Sequence, residues 1–195
     1  MADATKANTE VDDWTAAAKD TVTEGSAADV STTLDAALFV TVVHTDANAN
    51  ALGVLVTVQG RFGAADEDWR DLYTLRMGAG TASTTTINDA DVNAAETTIT
   101  ITAGTPTTGE RWWIEDGTLV NSEVVTTTSK ASTTWTVLDG LANDHADGLS
   151  IFDTVAEKLF PLPNSVSTAR VVFANDDADA EMAFRVDLAE MSAIA

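Results

Sequence analysis

Cysteine is absent from this 195-residue chain, so neither a disulfide nor a thiolate metal site can hold its fold together. That absence suits any redox compartment and identifies none. Basic residues are scarce. Ten Lys and Arg stand against thirty-one Asp and Glu, a formal net charge of −21 at pH 7 with a pI near 4.1. No basic cluster occurs anywhere, and an acidic surface repels the phosphate backbone, which speaks against DNA or RNA as a partner. No run approaches the ~18–20 apolar residues of a membrane helix. The opening MADATK lacks the basic-then-apolar order of a signal peptide, so no membrane partner is expected.

What is present is enough apolar surface for a core: 45% of residues are hydrophobic. The acidity has a plain reading and a functional one. It keeps a protein soluble at high salt, where self-repulsion is screened, and a marine or halophilic source accounts for it without further function. It also suppresses association until a partner supplies a complementary surface.

Residues 1–29 are rich in Ala, Thr and Asp with one aromatic anchor, Trp14, and read as an N-terminal arm, of the kind that orders against a neighbouring subunit, or as a loosely held first strand. Leu34 to His44 (LDAALFVTVVH) is a β-rich run, apolar on both faces. Leu52, Val54, Val56 and Val58 alternate with Gly53, Leu55, Thr57 and Gln59, the period of a half-buried strand. Trp69 to Met77 (WRDLYTLRM) places Trp69, Tyr73, Leu75 and Met77 on one side. Together these runs predict an antiparallel meander. Gly78 to Thr86 (GAGTASTTT) lacks core-forming side chains and reads as a flexible boundary.

Shorter strands follow: Thr97–Thr102, Arg111–Glu115, Glu123–Thr128 and Thr134–Leu138, with turns at Gly104–Gly109, Asp116–Asn121 and Ser129–Thr133. Spacings near ~10 residues suggest a small barrel or sandwich. Val155–Leu162 reads as a strand stopped by Pro161 and Pro163. The only helix-like run, Asp153–Phe160, is too short to stand alone. Ala169, Val171 and Phe173, then Met182, Phe184, Val186 and Leu188, predict a final hairpin across the turn NDDADA. The expected fold is therefore all-β: an antiparallel β-sandwich from residues 30–85 and 154–195, interrupted by a small β-barrel or sandwich domain at 86–153.

Reactive chemistry is thinly supported. His44 ends an apolar strand, and His145 lies among Asn143, Asp144 and Asp147 in a turn whose Asx side chains are expected to bond the backbone. No G-x-S-x-G elbow accompanies either histidine. Asp177-x-Asp179-x-Glu181 and Asp89-x-Asp91-x-Asn93 alternate oxygen ligands but lack the glycine and distal glutamate of a calcium loop, so solvated turns are favoured. Chance pairs among so many carboxylates carry no specificity for glycoside hydrolysis. No catalytic, cofactor-binding or metal-binding residue is expected, and the chain does not read as an enzyme. The aromatics stand out more. Trp112 and Trp113 are adjacent on a strand, so one points inward and the other outward. An outward Trp beside Trp135 would serve as a sugar platform or protein contact, unless curvature or a neighbouring domain covers both. Trp14, Trp112, Trp113 and Trp135 are the candidate contact residues.

Residues 97–153 carry a recurring pattern: the strand Thr98–Thr102, Gly109 before Trp112 and Ile114, Glu123-Val124, Trp135-Thr136-Val137, Gly140, and the close His145-Ala146-Asp147-Gly148. This resembles a small β module of tailed-bacteriophage structural proteins, although Asp139-Gly140 stands where the pattern has Arg-Gly. The flanks resemble, in texture, the β-sandwich frame of phage head-decoration and tail proteins. What the resemblance implies is a virion component made in the host cytoplasm. The expected role is a capsid decoration or cement protein on the outer surface of the head. Its partners would be the major capsid protein or other virion proteins, and it would form a homo-oligomer, a trimer by the geometry of local threefold points. A tail or head–tail structural protein, and a carbohydrate-binding or adhesion module, are the alternatives.

Overall fold

A computed structural model describes residues 6–63, 68–90, 92–103, 109–153 and 155–192. The strands are β1 (Lys6–Ala17), β2 (Thr21–Glu24), β3 (Thr33–His44), β4 (Val54–Arg61), β5 (Arg70–Met77), β6 (Thr84–Thr86), β7 (Thr98–Thr100), β8 (Arg111–Glu115), β9 (Glu123–Ala131), β10 (Thr134–Val137), β11 (Ser150–Phe152), β12 (Val155–Leu162), β13 (Thr168–Asn175) and β14 (Met182–Ser192). Three two-residue strands, Ala28–Asp29, Ala49–Asn50 and Gly80–Thr81, complete them, and the one helical element among the described residues is the 3-10 turn Leu119–Asn121.

Two sheets form an antiparallel sandwich, one ordered β1-β14-β3-β12 and the other β2-β13-β4-β5. The pairing is nested. β1 pairs with β14, β2 with β13, β3 with β12 and β4 with β5, so the first half of the sandwich chain runs out and the second half retraces it. Wrapping this long hairpin adds the β14–β3 and β13–β4 contacts. That strand order is a jelly roll.

Alternating side chains drive the closure. Val54, Val56 and Val58 of β4 and Ala169, Val171 and Phe173 of β13 face Leu38, Val40 and Val42 of β3 and Met182, Phe184 and Val186 of β14. Phe173 stacks on Phe184 across the sheets, ring centroids 3.5 Å apart. Burying each such side chain contributes about 1.5–3 kcal/mol. Tyr73 ties the open side, donating its hydroxyl to Pro161 O at 2.7 Å.

Several expectations of pairing are corrected. β3 and β4 lie in opposite sheets, so no meander forms, and β13 and β14 likewise face each other across the core instead of forming a hairpin. The connections are arches held by buried asparagines. Asn50 Oδ1 accepts from Gly53 N at 2.7 Å, and Asn175 Nδ2 donates to Ala17 O and Ala180 O. These side chains bond backbone groups where the chain crosses between sheets. Residues 6–29 do not wait for another subunit: β1 and β2 are integral strands, and Ala28–Asp29 pairs with β13. The stretch 153–160, helix-like in sequence, enters β12 at Val155. A register shift beside Leu72 reverses the phase of β5, so Trp69 joins the outer face instead of that of Tyr73 and Met77.

Between β5 and β12, β7-β10-β9-β8-β11-β6 form one six-stranded sheet. Asn88 N donates to Thr100 O and Thr102 N to Thr86 O, both at 2.9 Å, and Ile87 bridges Ile101, which joins the first strand to the last and closes a barrel. Part of the stretch expected as a flexible boundary, Thr84–Thr86, is thus a barrel strand. Ile99, Ile101, Ile114, Ile151, Trp112 and Trp135 fill its interior. Gly140 is required there: a Cβ would lie 2.7 Å from Ala95 O. The expected turn at 104–108 lies outside the described residues, as does Asp91.

Candidate functional site

The barrel is seated on one end of the first sheet through an apolar joint. Trp113 is the pivot. On β8 its neighbour Trp112 points into the barrel and meets Trp135, ring centroids 4.8 Å apart. Trp113 therefore points out of the barrel and onto the outer face of the first sheet, where it packs with Val43, Ala82, Phe152 and Ala183. Trp14 of β1 tilts against it at 4.2 Å. Trp112, Trp113 and Trp135 are 6%, 0% and 0% exposed, so the expected outward tryptophan is covered by the neighbouring sheet and Trp135 by barrel curvature. Of the four candidate contact residues only Trp14 keeps partial exposure.

Trp14 lines a cleft of ≈ 480 Å³ between sheet and barrel, together with Phe39, Thr41, Arg111, Glu157 and Arg185. Its cations are paired: Arg111 with Glu157, and Arg185 with Glu10 at 3.0 Å and Asp187 at 3.2 Å. Burial alone would lower the pKa of Arg185, but the carboxylates of Asp187, Glu10 and Asp13 outweigh it and raise the value, holding the charge. Of the two hydroxyls in this cleft, Ser122 donates to Thr118 O and accepts from Asp116 N, and Thr41 Oγ1 donates to Glu157 Oε1 at 3.4 Å. Glu10, Asp13, Glu123, Glu157 and Asp187 line it against Arg111 and Arg185, so the cleft is an acidic seam between two parts of one chain.

His145 is a second built feature. Its side chain is buried, with Nδ1 3.1 Å from Asp116 Oδ2 and Nε2 2.8 Å from Glu123 Oε1. Glu123 also accepts from Ala142 N and Asn143 N. Burial would lower the histidine pKa; the bonds to Glu123 and Asp116 overcome this and raise it. Burial would raise the Glu123 pKa, but His145 and the two backbone N–H groups lower it. Both ring nitrogens face carboxylate oxygens, an arrangement that favours the imidazolium, and the clamp ties the turn between Asp116 and Glu123 to the loop that carries His145. The sequence motif had named Glu123 and His145 separately; the fold brings them into contact, a link across twenty-two residues. Asp116 was read only as the start of a turn. Asp144, expected to bond the backbone, does so by accepting from Ala94 N.

His44 is buried at the end of β3 and donates Nε2–H to Gly78 O at 2.7 Å. The acidic turns behave as turns. Asp177 Oδ1 accepts from Asp179 N and Ala180 N, and these backbone bonds lower its pKa. Asn93 Nδ2 donates to Glu96. Among the described residues no group of three or more His, Asp or Glu is placed to hold a metal ion.

No protein-family model matches the chain, and no curated protein matches it. Among solved structures it is similar to VP17, a capsid protein of bacteriophage P23-77, at 11% identity and a TM-score of 0.23, over 98% of each chain. It is also similar to a chain of the VP16–VP17 complex of the two major capsid proteins of that phage, at 10% identity and a TM-score of 0.22, over 97% of this chain and 99% of that one. A structure of infectious bursal disease virus aligns at 10% identity and a TM-score of 0.22, over 97% of this chain and 40% of the other. Likenesses this weak carry no weight by themselves; the strand order of the chain bears on function directly.

Proposed function

We propose that this chain is a non-enzymatic virion protein, a structural component of a capsid, with the jelly roll as its shell-contacting part and the barrel as an inserted module set on it. The carrying observation is the nested strand order β1-β14-β3-β12 over β2-β13-β4-β5, an architecture that capsid subunits use to tile curved surfaces. Residues 30–85 and 154–195 would act as the sandwich domain and 86–153 as the inserted one, with residues 6–29 assigned to the sandwich. The net charge favours the outer surface of the head: a −21 protein lining the interior would face packaged phosphates. A decoration or cement role fits that placement. Attachment needs about 1,600 Å² of buried interface, with multivalency over the shell adding to it.

Lectins also use jelly rolls, but the sugar-platform reading loses its main support because Trp112, Trp113 and Trp135 are buried. The test is quantitative mass spectrometry of purified particles from a culture producing the virus, followed by cryo-electron microscopy. The expected result is many copies per head at symmetry-related positions outside the shell. Absence from the particle, or presence only in the tail, would overturn the proposal.

A further inference from the structure

The outer face of the second sheet is unlike the rest of the molecule. Strand register places three rows there: Val22, Ala174, Leu55 and Arg76; Glu24, Val172, Thr57 and Thr74; and Arg170, Gln59 and Asp71. Residues directly opposite in an antiparallel pair share a face. Val22 is 67% exposed, and Leu55 and Val172 are partly exposed. At one end the Trp69 ring lies between two guanidiniums, Arg61 at 4.2 Å and Arg170 at 4.4 Å.

Most charges on this face are matched. Arg170 pairs with Glu24 and donates to Gln59, which donates to Asp71; Arg76 pairs with Asp176. Arg61 differs: its Nε is buried without an acceptor among the described residues, and the contact that fixes its guanidinium is the Trp69 ring. Three arginines (Arg61, Arg76, Arg170) therefore face three carboxylates (Glu24, Asp71, Asp176). The rows and their ends thus carry matched charge, with the exposed Asp68 beside Trp69 as one further acid, so nearly all of the −21 excess lies elsewhere.

We infer that this face is where two copies of the chain meet, face to face about a two-fold axis. A second copy carries the same −21 and is repelled from an acidic approach. It can come close where the net charge is small and both signs are present, which makes the surface complementary to itself. Leu55 and Val172 supply apolar area on the two middle strands, and Val22 extends it to the edge. Arg61 and Trp69, a rigid stacked pair of the residue types that dominate interface energetics, supply an anchor for a carboxylate of the other copy. The inference stands apart from the capsid role, because it concerns the isolated chain.

Salt gives the contact a signature. A contact driven by ion pairs weakens as salt is added, whereas one limited by the mutual repulsion of two acidic bodies strengthens. Sedimentation velocity of the full chain over a concentration series, at low and high salt, should show a monomer–dimer equilibrium that tightens with salt. Arg61→Glu and Val172→Asp should each weaken the dimer about tenfold or more. Val120→Asp, on the exposed barrel turn, should leave it unchanged. Circular dichroism checks folding, and Arg61→Ala serves should Val172→Asp fail to fold. A chain that stays monomeric under all conditions overturns the inference, as does a dimer indifferent to Arg61. So does a monomer whose attachment to capsid shells depends on Arg61, which would assign the face to another protein.

Discussion

The sandwich and the barrel both bury apolar side chains behind antiparallel strands, but they use the chain in opposite ways. The sandwich pairs its beginning with its end, Lys6 beside Met191, and cannot close until nearly the whole chain is present. The barrel takes all six of its strands from residues 84–152. The sandwich core is mostly aliphatic, with a stacked Phe pair and Phe160 beside Tyr73; the barrel packs two tryptophans among isoleucines. Local contacts close at lower entropic cost, so the barrel is the part equipped to form first and the sandwich the part that depends on both termini.

The strongest way to break that contrast is to delete residues 1–17. Losing β1 strips β14 of its partner and Trp113 of Trp14. The sandwich should lose more than ~5 kcal/mol, on the order of a whole domain's stability, while hydrogen exchange still finds protected amides in 84–152. Exchange at the unfolded rate throughout would show that the barrel has no independent stability.

Core truncations come next. Phe173→Ala in the sandwich and Trp135→Ala in the barrel should each cost about 3–5 kcal/mol. Urea melts read by residue-resolved exchange should show each variant lowering its own region first. Trp113→Ala, at the joint, should separate a shared transition into two. A single unsplit transition in all three variants would mean that sandwich and barrel are one cooperative unit.

Smaller, and confined to the barrel, is the His145 clamp. His145→Ala leaves two partly buried carboxylates without their cation and should cost about 3 kcal/mol. Its pH dependence follows from the directions of the shifts. The raised His145 pKa means that its contribution is complete below the unfolded value of 6.5 and is lost as pH rises through the folded value. The lowered Glu123 pKa means that its contribution is complete above 4.5 and is lost as pH falls through its folded value. The clamp is therefore at full strength between pH 4.5 and 6.5. Barrel stability should fall above that window in the wild type and not in His145→Ala, as thermal melts across a pH series would reveal; parallel profiles for the two proteins would sink the assignment. At the small end, Leu138→Ser, at a largely exposed barrel position, should stay within ~0.5 kcal/mol in the same melts.

Much of the strand content was legible because the period of two is written along the chain. Arg111–Glu115 and Val155–Leu162 were read to the residue, and the alternation of β4, β13 and β14 named their core faces. β1 is legible only as an arm or a loosely held strand, because its polar sequence gains its place from β14 rather than from its own hydrophobicity. β6 and β11 are not legible because each is three residues long and adjoins a run rich in Gly and small or polar residues that reads as a loop. At the joint, adjacency on a strand told that Trp112 and Trp113 diverge, but not that a sheet was waiting for the second. Glu123 and His145 stood out as a recurring pattern, yet nothing in their spacing said that one holds the other.

By itself, then, the amino-acid order settled the class of structure, the faces of the regularly alternating strands, the absence of thiol chemistry and the sign of the surface, because each follows from a residue and its near neighbours. Which strand lies beside which, where the tryptophans end up, and how three arginines gather on one sheet were decided only in three dimensions. Pairing partners compete through contacts between residues far apart in the chain, and local periodicity is the same whichever partner wins.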